Sequence, residues 1–126
     1  MNRPIIVEFD SGNEYSGQGV VANTWPEYTM KRWGSYITCP NVVGYVARTD
    51  RYGNTSILGT ANEIQLYALK RMTEEQTVSA MQIYDEFITS KYGEAALLPI
   101  RKAFQNAYDI VTSVFYTLCS ICTIGG

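Results

Sequence analysis

The clearest hydrophobic periodicity lies in the last third of the chain. There Ile100, Ala103, Phe104, Ala107, Tyr108, Val111, Val114, Phe115 and Leu118 recur at spacings of three and four, the repeat of one helix face. Pro99 fits the first turn, where its missing N–H costs nothing. Arg101, Lys102, Gln105, Asn106, Asp109, Thr112 and Ser113 fall mostly on the other side. An earlier helix is predicted from about Glu74 to Ser90. Thr73-Glu74-Glu75-Gln76 has the form of a capping box, and two acidic residues suit the positive end of a helix dipole. Tyr92-Gly93 is its stop, since Gly can take the left-handed conformation at a helix end. Val78, Ala80, Met81, Ile83, Tyr84, Phe87 and Ile88 cover more than one narrow stripe of it. Glu94 to Leu98 reads as a loop or as an earlier turn kinked at Pro99. The short connection predicts an antiparallel helical hairpin.

The first half shows shorter, strand-like runs. Pro4 to Phe9 is rich in β-branched residues, and Asp10 to Asn13 are turn formers. Glu14 to Trp25 is a second extended segment, with Gly17 and Gly19 marking a bulge or close approach, and Pro26 ends it. Glu27 to Lys31 is too mixed to assign. Arg32 to Cys39 is read as a third strand on Trp33, Tyr36 and Ile37, Val42 to Thr49 as a fourth and Thr55 to Gly59 as a fifth. Asp50 to Asn54 has the composition of a hairpin turn between the last two. Thr60-Ala61-Asn62-Glu63 repeats the capping-box pattern and opens a helix to Met72. The expected fold is α+β in one domain, residues 1–126. An N-terminal antiparallel β-sheet of about five strands (1–60) precedes three helices (61–118), the last two forming a hairpin, and an apolar tail (119–126).

Composition narrows the function classes. The chain has 126 residues, enough for one core, and 46% of them are apolar, which argues against disorder. Net charge is −2 with pI near 5.0, so there is no global basic field for duplex nucleic acid or anionic membrane. The first ten residues reach charge too soon for a signal-peptide core, and no apolar run is long enough to span a bilayer. The expected location is therefore cytoplasmic. Three cysteines do not suggest a disulfide framework, and the Asn54-Thr55-Ser56 sequon has no meaning without secretion.

The chain contains no histidine, which removes His-dependent acid–base chemistry and His-ligated metal. No Ser-x-x-Lys spacing occurs and the carboxylates are scattered, so the expectation is a non-enzyme with no cofactor and no metal site. Gly17-Gln18-Gly19-Val20-Val21-Ala22 matches G-x-G-x-x-A formally. That motif needs a helix to start at it, and extended chain with a Pro stop is predicted instead. Cys119-Ser120-Ile121-Cys122 lacks a second pair for zinc and a strand–helix setting for redox work, so two small residues in a packed tail is the plainer reading.

The sharpest candidate for binding is a group of cations and aromatics. Arg48, Arg51 and Tyr52 lie at or beside one predicted turn, and Arg32 with Trp33 opens the strand expected nearby. Arg can fork onto phosphate, and Tyr or Trp can stack on a base. The alternative is a solvated hairpin tip with cross-strand aromatic pairs. Arg101 and Lys102 sit in the first turn of the last helix, where the dipole disfavours cations. A ligand, an acidic partner, an intrahelical pair with Glu94 or plain solvation would each account for them.

On Arg48, Arg51, Tyr52 and Arg101 together with the helical half, the layout resembles small phage-encoded anti-defence proteins that sequester cyclic-nucleotide immune signals. The resemblance implies a compact oligomer acting in the host cytoplasm, with pockets at subunit boundaries, Arg on phosphates and aromatics on bases. The expectation is thus an oligomeric binding protein for a nucleotide-type ligand. A protein-binding inhibitor or adaptor using a Tyr-rich surface, or a phage-type structural component, are the alternatives. Two broad apolar helices are hard to bury in one small domain, so a homodimer or higher oligomer through Pro99 to Ile124 is expected. Light scattering at micromolar concentration checks this, and a monomer would count against it.

Overall fold

A helix stands between the first two strands and decides how they pair. The computed structural model describes residues 3–11, 22–49 and 57–115. Among these, the chain runs β1 (Ile5–Asp10), α1 (Pro26–Tyr36), β2 (Val42–Arg48), α2 (Ile64–Glu74), α3 (Ala80–Tyr92) and α4 (Leu97–Phe115), with 3-10 turns at Ala61–Glu63 and Glu94–Ala96. β1 and β2 are parallel, in register from Ile6↔Gly44 to Asp10↔Arg48, with Val43 as an extra residue after Ile5↔Val42.

The architecture is α+β, but the expected sheet of about five antiparallel strands followed by three helices is wrong. The described residues hold two parallel strands and four helices. The decisive error falls at residues 32–39, read as a strand, where the chain is largely helical. Pro26 occupies the first turn of α1 with its φ already suited to a helix. Pro26, Thr29 and Trp33 are its buried residues, at helical spacing. The strand preference of Trp33 and Tyr36 gave way to that face, since packing overrides propensity. With a helix in the connection the chain returns to the start of β1 before running out again, which makes the pair parallel. Residues 22–25 are not a strand, and Ile57 to Gly59 lie in a turn. The predicted turn at Asp50 to Asn54 lies outside the described residues. Ile57 N–H donates to the Thr49 carbonyl at 2.8 Å, which brings the chain back beside the end of β2.

Helix boundaries also moved. Thr73 does not cap a new helix: its hydroxyl donates to the Leu69 carbonyl inside the last turns of α2. The capping box belongs to Ser79 and Gln82, with Ser79 Oγ accepting from Gln82 N–H and Gln82 Oε1 accepting from Ser79 N–H. Gly93 ends α3 at φ +86°, a conformation side-chain-bearing residues rarely adopt, as expected for the Tyr92-Gly93 stop. α4 begins at Leu97, so Pro99 lies in its first turn.

The core explains the broad apolar faces. On α3, Ile83, Tyr84, Phe87 and Ile88 are buried, because α1, α2 and α4 all contact this helix. The breadth of the α3 face is thus accounted for within one chain, whereas Leu98, Tyr108 and Ile110 of α4 stay exposed. Phe9, Trp33 and Tyr45 meet edge to face, with Trp33 and Tyr45 centroids 5.0 Å apart, and pin α1 to the inner face of the sheet.

A polar strap at Asn23–Trp25 ties the layers together. The buried amide of Gln65 on α2 donates to the carbonyls of Asn23 and Trp25, both at 3.0 Å, while its oxygen accepts from the Thr29 hydroxyl. Asn23 N–H donates to buried Asn62 at 2.7 Å, and the Thr24 hydroxyl donates to the Phe104 carbonyl of α4 at 3.0 Å. No helix among the described residues is long and apolar enough to cross a membrane. Gln65→Leu keeps the volume but orphans these buried partners, at about 3 kcal/mol of unfolding free energy. Urea titration should show that loss, whereas Lys70→Gln, exposed on the same helix, should stay within about 0.5 kcal/mol.

Candidate functional site

The nominated residues do not converge on one pocket. Trp33 is buried in the core, where its face is not open to a base. Arg48 pairs with Glu8 at 2.6 Å on the outer face of the sheet. Arg101 pairs with Asp85 of α3, so the cation at the start of α4 is balanced by a neighbouring helix rather than by Glu94. Lys102 is exposed on α4. Arg51 and Tyr52 lie outside the described residues.

Arg32 is the exception. It projects from the exposed side of α1 between Tyr28 and Tyr36, one turn away in each direction. One terminal nitrogen donates to Tyr36 Oη at 2.6 Å and the other to Tyr28 Oη at 3.4 Å. Its guanidinium carbon lies 5.4 Å from the Tyr36 ring centre and 5.7 Å from that of Tyr28, within cation–π range. Tyr36 is braced from behind by Phe9, edge to face at 5.9 Å. Tyr28 is 59% exposed, and Lys31 stands next to Arg32 in solvent. Arg32 has no carboxylate partner among the described residues. A guanidinium carries five N–H donors, so Nε–H and one N–H on each terminal nitrogen remain for an anion. Sequence reading placed Arg32 on a strand and missed Tyr28 and Tyr36. The i, i+4, i+8 spacing of Tyr28, Arg32 and Tyr36 was the available signal.

Other cations act as staples. Arg71 on α2 clamps Glu86 on α3 through Nε at 2.7 Å and a terminal nitrogen at 3.2 Å, and also meets Glu74 and Glu75. Tyr67 donates to the same Glu86 at 2.8 Å. Lys91 on α3 reaches Glu63 at 2.6 Å and the Thr60 carbonyl at 2.8 Å. The hydrogen bond from Arg71 holds the Glu86 carboxyl below its ordinary value, outweighing burial, and the bond from Lys91 does the same for Glu63. Burial pushes the Tyr84 phenol up, helped by the charge of Glu27, whose carboxylate accepts from it at 3.0 Å.

The parallel β1–α1–β2 unit is the topology in which phosphate-binding loops occur. Yet α1 starts at Pro26 rather than at the Gly17–Ala22 motif, and residues 17–21 lie outside the described set. Among the described residues, no three Cys, Asp or Glu side chains gather as a metal-binding group. Cys39 is an exposed free thiol, and Cys119 and Cys122 lie outside the described residues. No family model matches the chain, and no curated protein and no solved structure shows significant similarity to it.

The lowered carboxyls of Glu63, Glu74 and Glu86 set a pH dependence with a definite sign. Their contribution is present above the ordinary value of 4.5 and is lost as pH falls through the folded values. Tm should therefore fall as pH drops from about 5 to about 3. Glu86→Gln should lower Tm at neutral pH and flatten that acid limb, as differential scanning fluorimetry can measure.

Proposed function

We propose that the chain is a non-enzymatic binding protein that captures a nucleotide-type anion on the exposed face of α1. The observation that carries this reading is Arg32, framed by two tyrosines and without a carboxylate partner among the described residues. Its spare donors suit a phosphate, and the open face of Tyr28 suits a base, the two chemistries a nucleotide needs. Sequestration rather than turnover fits the same face. It holds no imidazole, and the adjacent Glu27 already accepts from Tyr84. Elsewhere Glu8, Glu63, Asp85 and Glu86 are each engaged by a cation. The likeness to phage anti-defence proteins was drawn on Arg48, Arg51, Tyr52 and Arg101 with the helical half; no comparison bears on it, and the proposal stands on α1.

Exposed Tyr beside Arg is also the composition of protein-interface hot spots, which favours an acidic protein segment as the second reading. A thermal-shift panel of linear and cyclic nucleotides separates the two. A ligand at a hundred times its Kd should add about 2.7 kcal/mol of stability, and Arg32→Ala should abolish the shift. If no nucleotide raises Tm, or Arg32→Ala binds as well as the parent, the nucleotide reading is wrong. An acidic peptide bound through Arg32 would then take its place.

A further inference from the structure

The solvent face of α1 presents hydrogen-bond donors and positive charge, and their count restricts what the Arg32 site can hold. Tyr28, Lys31, Arg32, Ser35 and Tyr36 recur at i, i+3, i+4, i+7 and i+8, so they form one continuous stripe of the helix. Ser35 has its proton committed, since its hydroxyl donates to the Lys31 carbonyl at 3.0 Å. Each phenol oxygen accepts from the guanidinium, at 2.6 Å for Tyr36 and 3.4 Å for Tyr28. A phenol also carries an O–H of its own, so both hydroxyls keep a proton to give to a bound group. These two O–H donors join the three N–H donors that Arg32 has spare. Lys31, exposed on the same stripe, adds an ammonium. The one acid of α1, Glu27, accepts from Tyr84.

We infer that this face recognises a terminal phosphate monoester rather than a cyclic phosphodiester or a carboxylate. The inference rests on the proposed capture of a nucleotide-type anion at Arg32 and names the group that is gripped. A phosphate monoester carries a charge of about −1.5 to −2 at pH 7 and three terminal oxygens that accept strongly. Two cations, Lys31 and Arg32, and the two phenol O–H groups match that set in charge and in number. A cyclic diester has one charge and two free oxygens, so it leaves Lys31 with no charge to meet. A carboxylate also has one charge. Its planar pair of oxygens fits the guanidinium fork and leaves the phenol O–H groups over. The donors are held in place before a ligand arrives. Phe9 braces the Tyr36 ring at 5.9 Å, and both rings lie within cation–π range of the guanidinium. Less ordering is then lost on binding.

Isothermal titration calorimetry on the full chain at about pH 7.5, where a monoester is mostly dianionic, tests this. Far-UV circular dichroism confirms that each variant is folded. The titrants are adenosine monophosphate, cyclic adenosine monophosphate, phenyl phosphate and adenosine. Adenosine monophosphate should bind roughly tenfold more tightly than the cyclic diester, the effect of one further charge-assisted hydrogen bond. Adenosine should show no measurable binding. Lys31→Gln should bring the monophosphate down to the level of the cyclic diester and leave the diester nearly unchanged. Lys70→Gln, the same loss of charge on α2, should alter neither. Tyr36→Phe keeps the ring against Phe9, removes only the hydroxyl, and should weaken the monophosphate several-fold. Equal affinity for the two phosphates, both lost on Arg32→Ala, overturns the inference and leaves the nucleotide reading standing. Phenyl phosphate bound through Arg32 without adenosine monophosphate does the reverse: the nucleotide reading falls and the terminal phosphate stands. A preference that survives Lys31→Gln, or that falls equally with Lys70→Gln, overturns the inference. Binding of none of the four overturns both.

Discussion

A buried primary amide must satisfy its donors and its acceptor inside the protein, and much of this fold follows from how Gln65 does so. Its side chain sits in the α2 interface, 2% exposed, where an unpaired polar atom would be costly. It takes the carbonyls of Asn23 and Trp25 on one side and the Thr29 hydroxyl on the other. Those partners flank the first turn of α1, which has no side-chain N-cap. Thr24, between them, reaches α4 through the Phe104 carbonyl. One short stretch before α1 is therefore hydrogen-bonded to both α2 and α4, which sets where α1 begins. With α1 held there, Trp33 meets Phe9 and Tyr45, and the strands lie parallel beneath it.

The same packing decides which charges remain available for function. Arg71, Lys91 and Arg101 each bridge to a carboxylate on a neighbouring element, so they join helices instead of facing a ligand. Partly exposed pairs of this kind add modest stability singly. Their larger consequence is to remove cations from the pool of candidates. Arg32 escapes because α1 turns it outward, where its neighbours a turn away are tyrosines and not acids. The sheet is lopsided in a complementary way. Its inner face is filled by α1, while its outer face keeps a salt bridge set among exposed β-branched residues.

Legibility in the sequence depended on the range of the interaction. β1, β2, the Tyr92-Gly93 stop and the periodic last helix were readable because each depends on neighbours within a few residues. Thr60 was correctly placed as a cap, its hydroxyl accepting from Asn62 N–H. The Thr73 cap failed because Ser79-Ala80-Met81-Gln82 fits the same pattern, and only the continued packing of α2 chooses between them. α1 was misread because Trp33 and Tyr36 favour strands locally, whereas burial of Pro26, Thr29 and Trp33 together favours a helix. Gln65 carried no signal at all, since a lone Gln in a helical run looks like a surface residue until its partners some forty positions away are known.

The sequence by itself determined that this is an α+β chain, without a histidine for catalysis, and that the helix before its periodic last one is apolar on more than one narrow stripe. Those properties reside in composition and short-range pattern. Only the tertiary structure decided that the strands run parallel, that the broad faces of α3 are buried within the chain, and that Arg32, unlike Arg101 or Arg48, meets no acid among the described residues. Strand direction depends on what lies between the strands. An ion pair such as Arg101–Asp85 or Arg71–Glu86 depends on which helix lies alongside, and neither is encoded in the spacing of neighbouring residues.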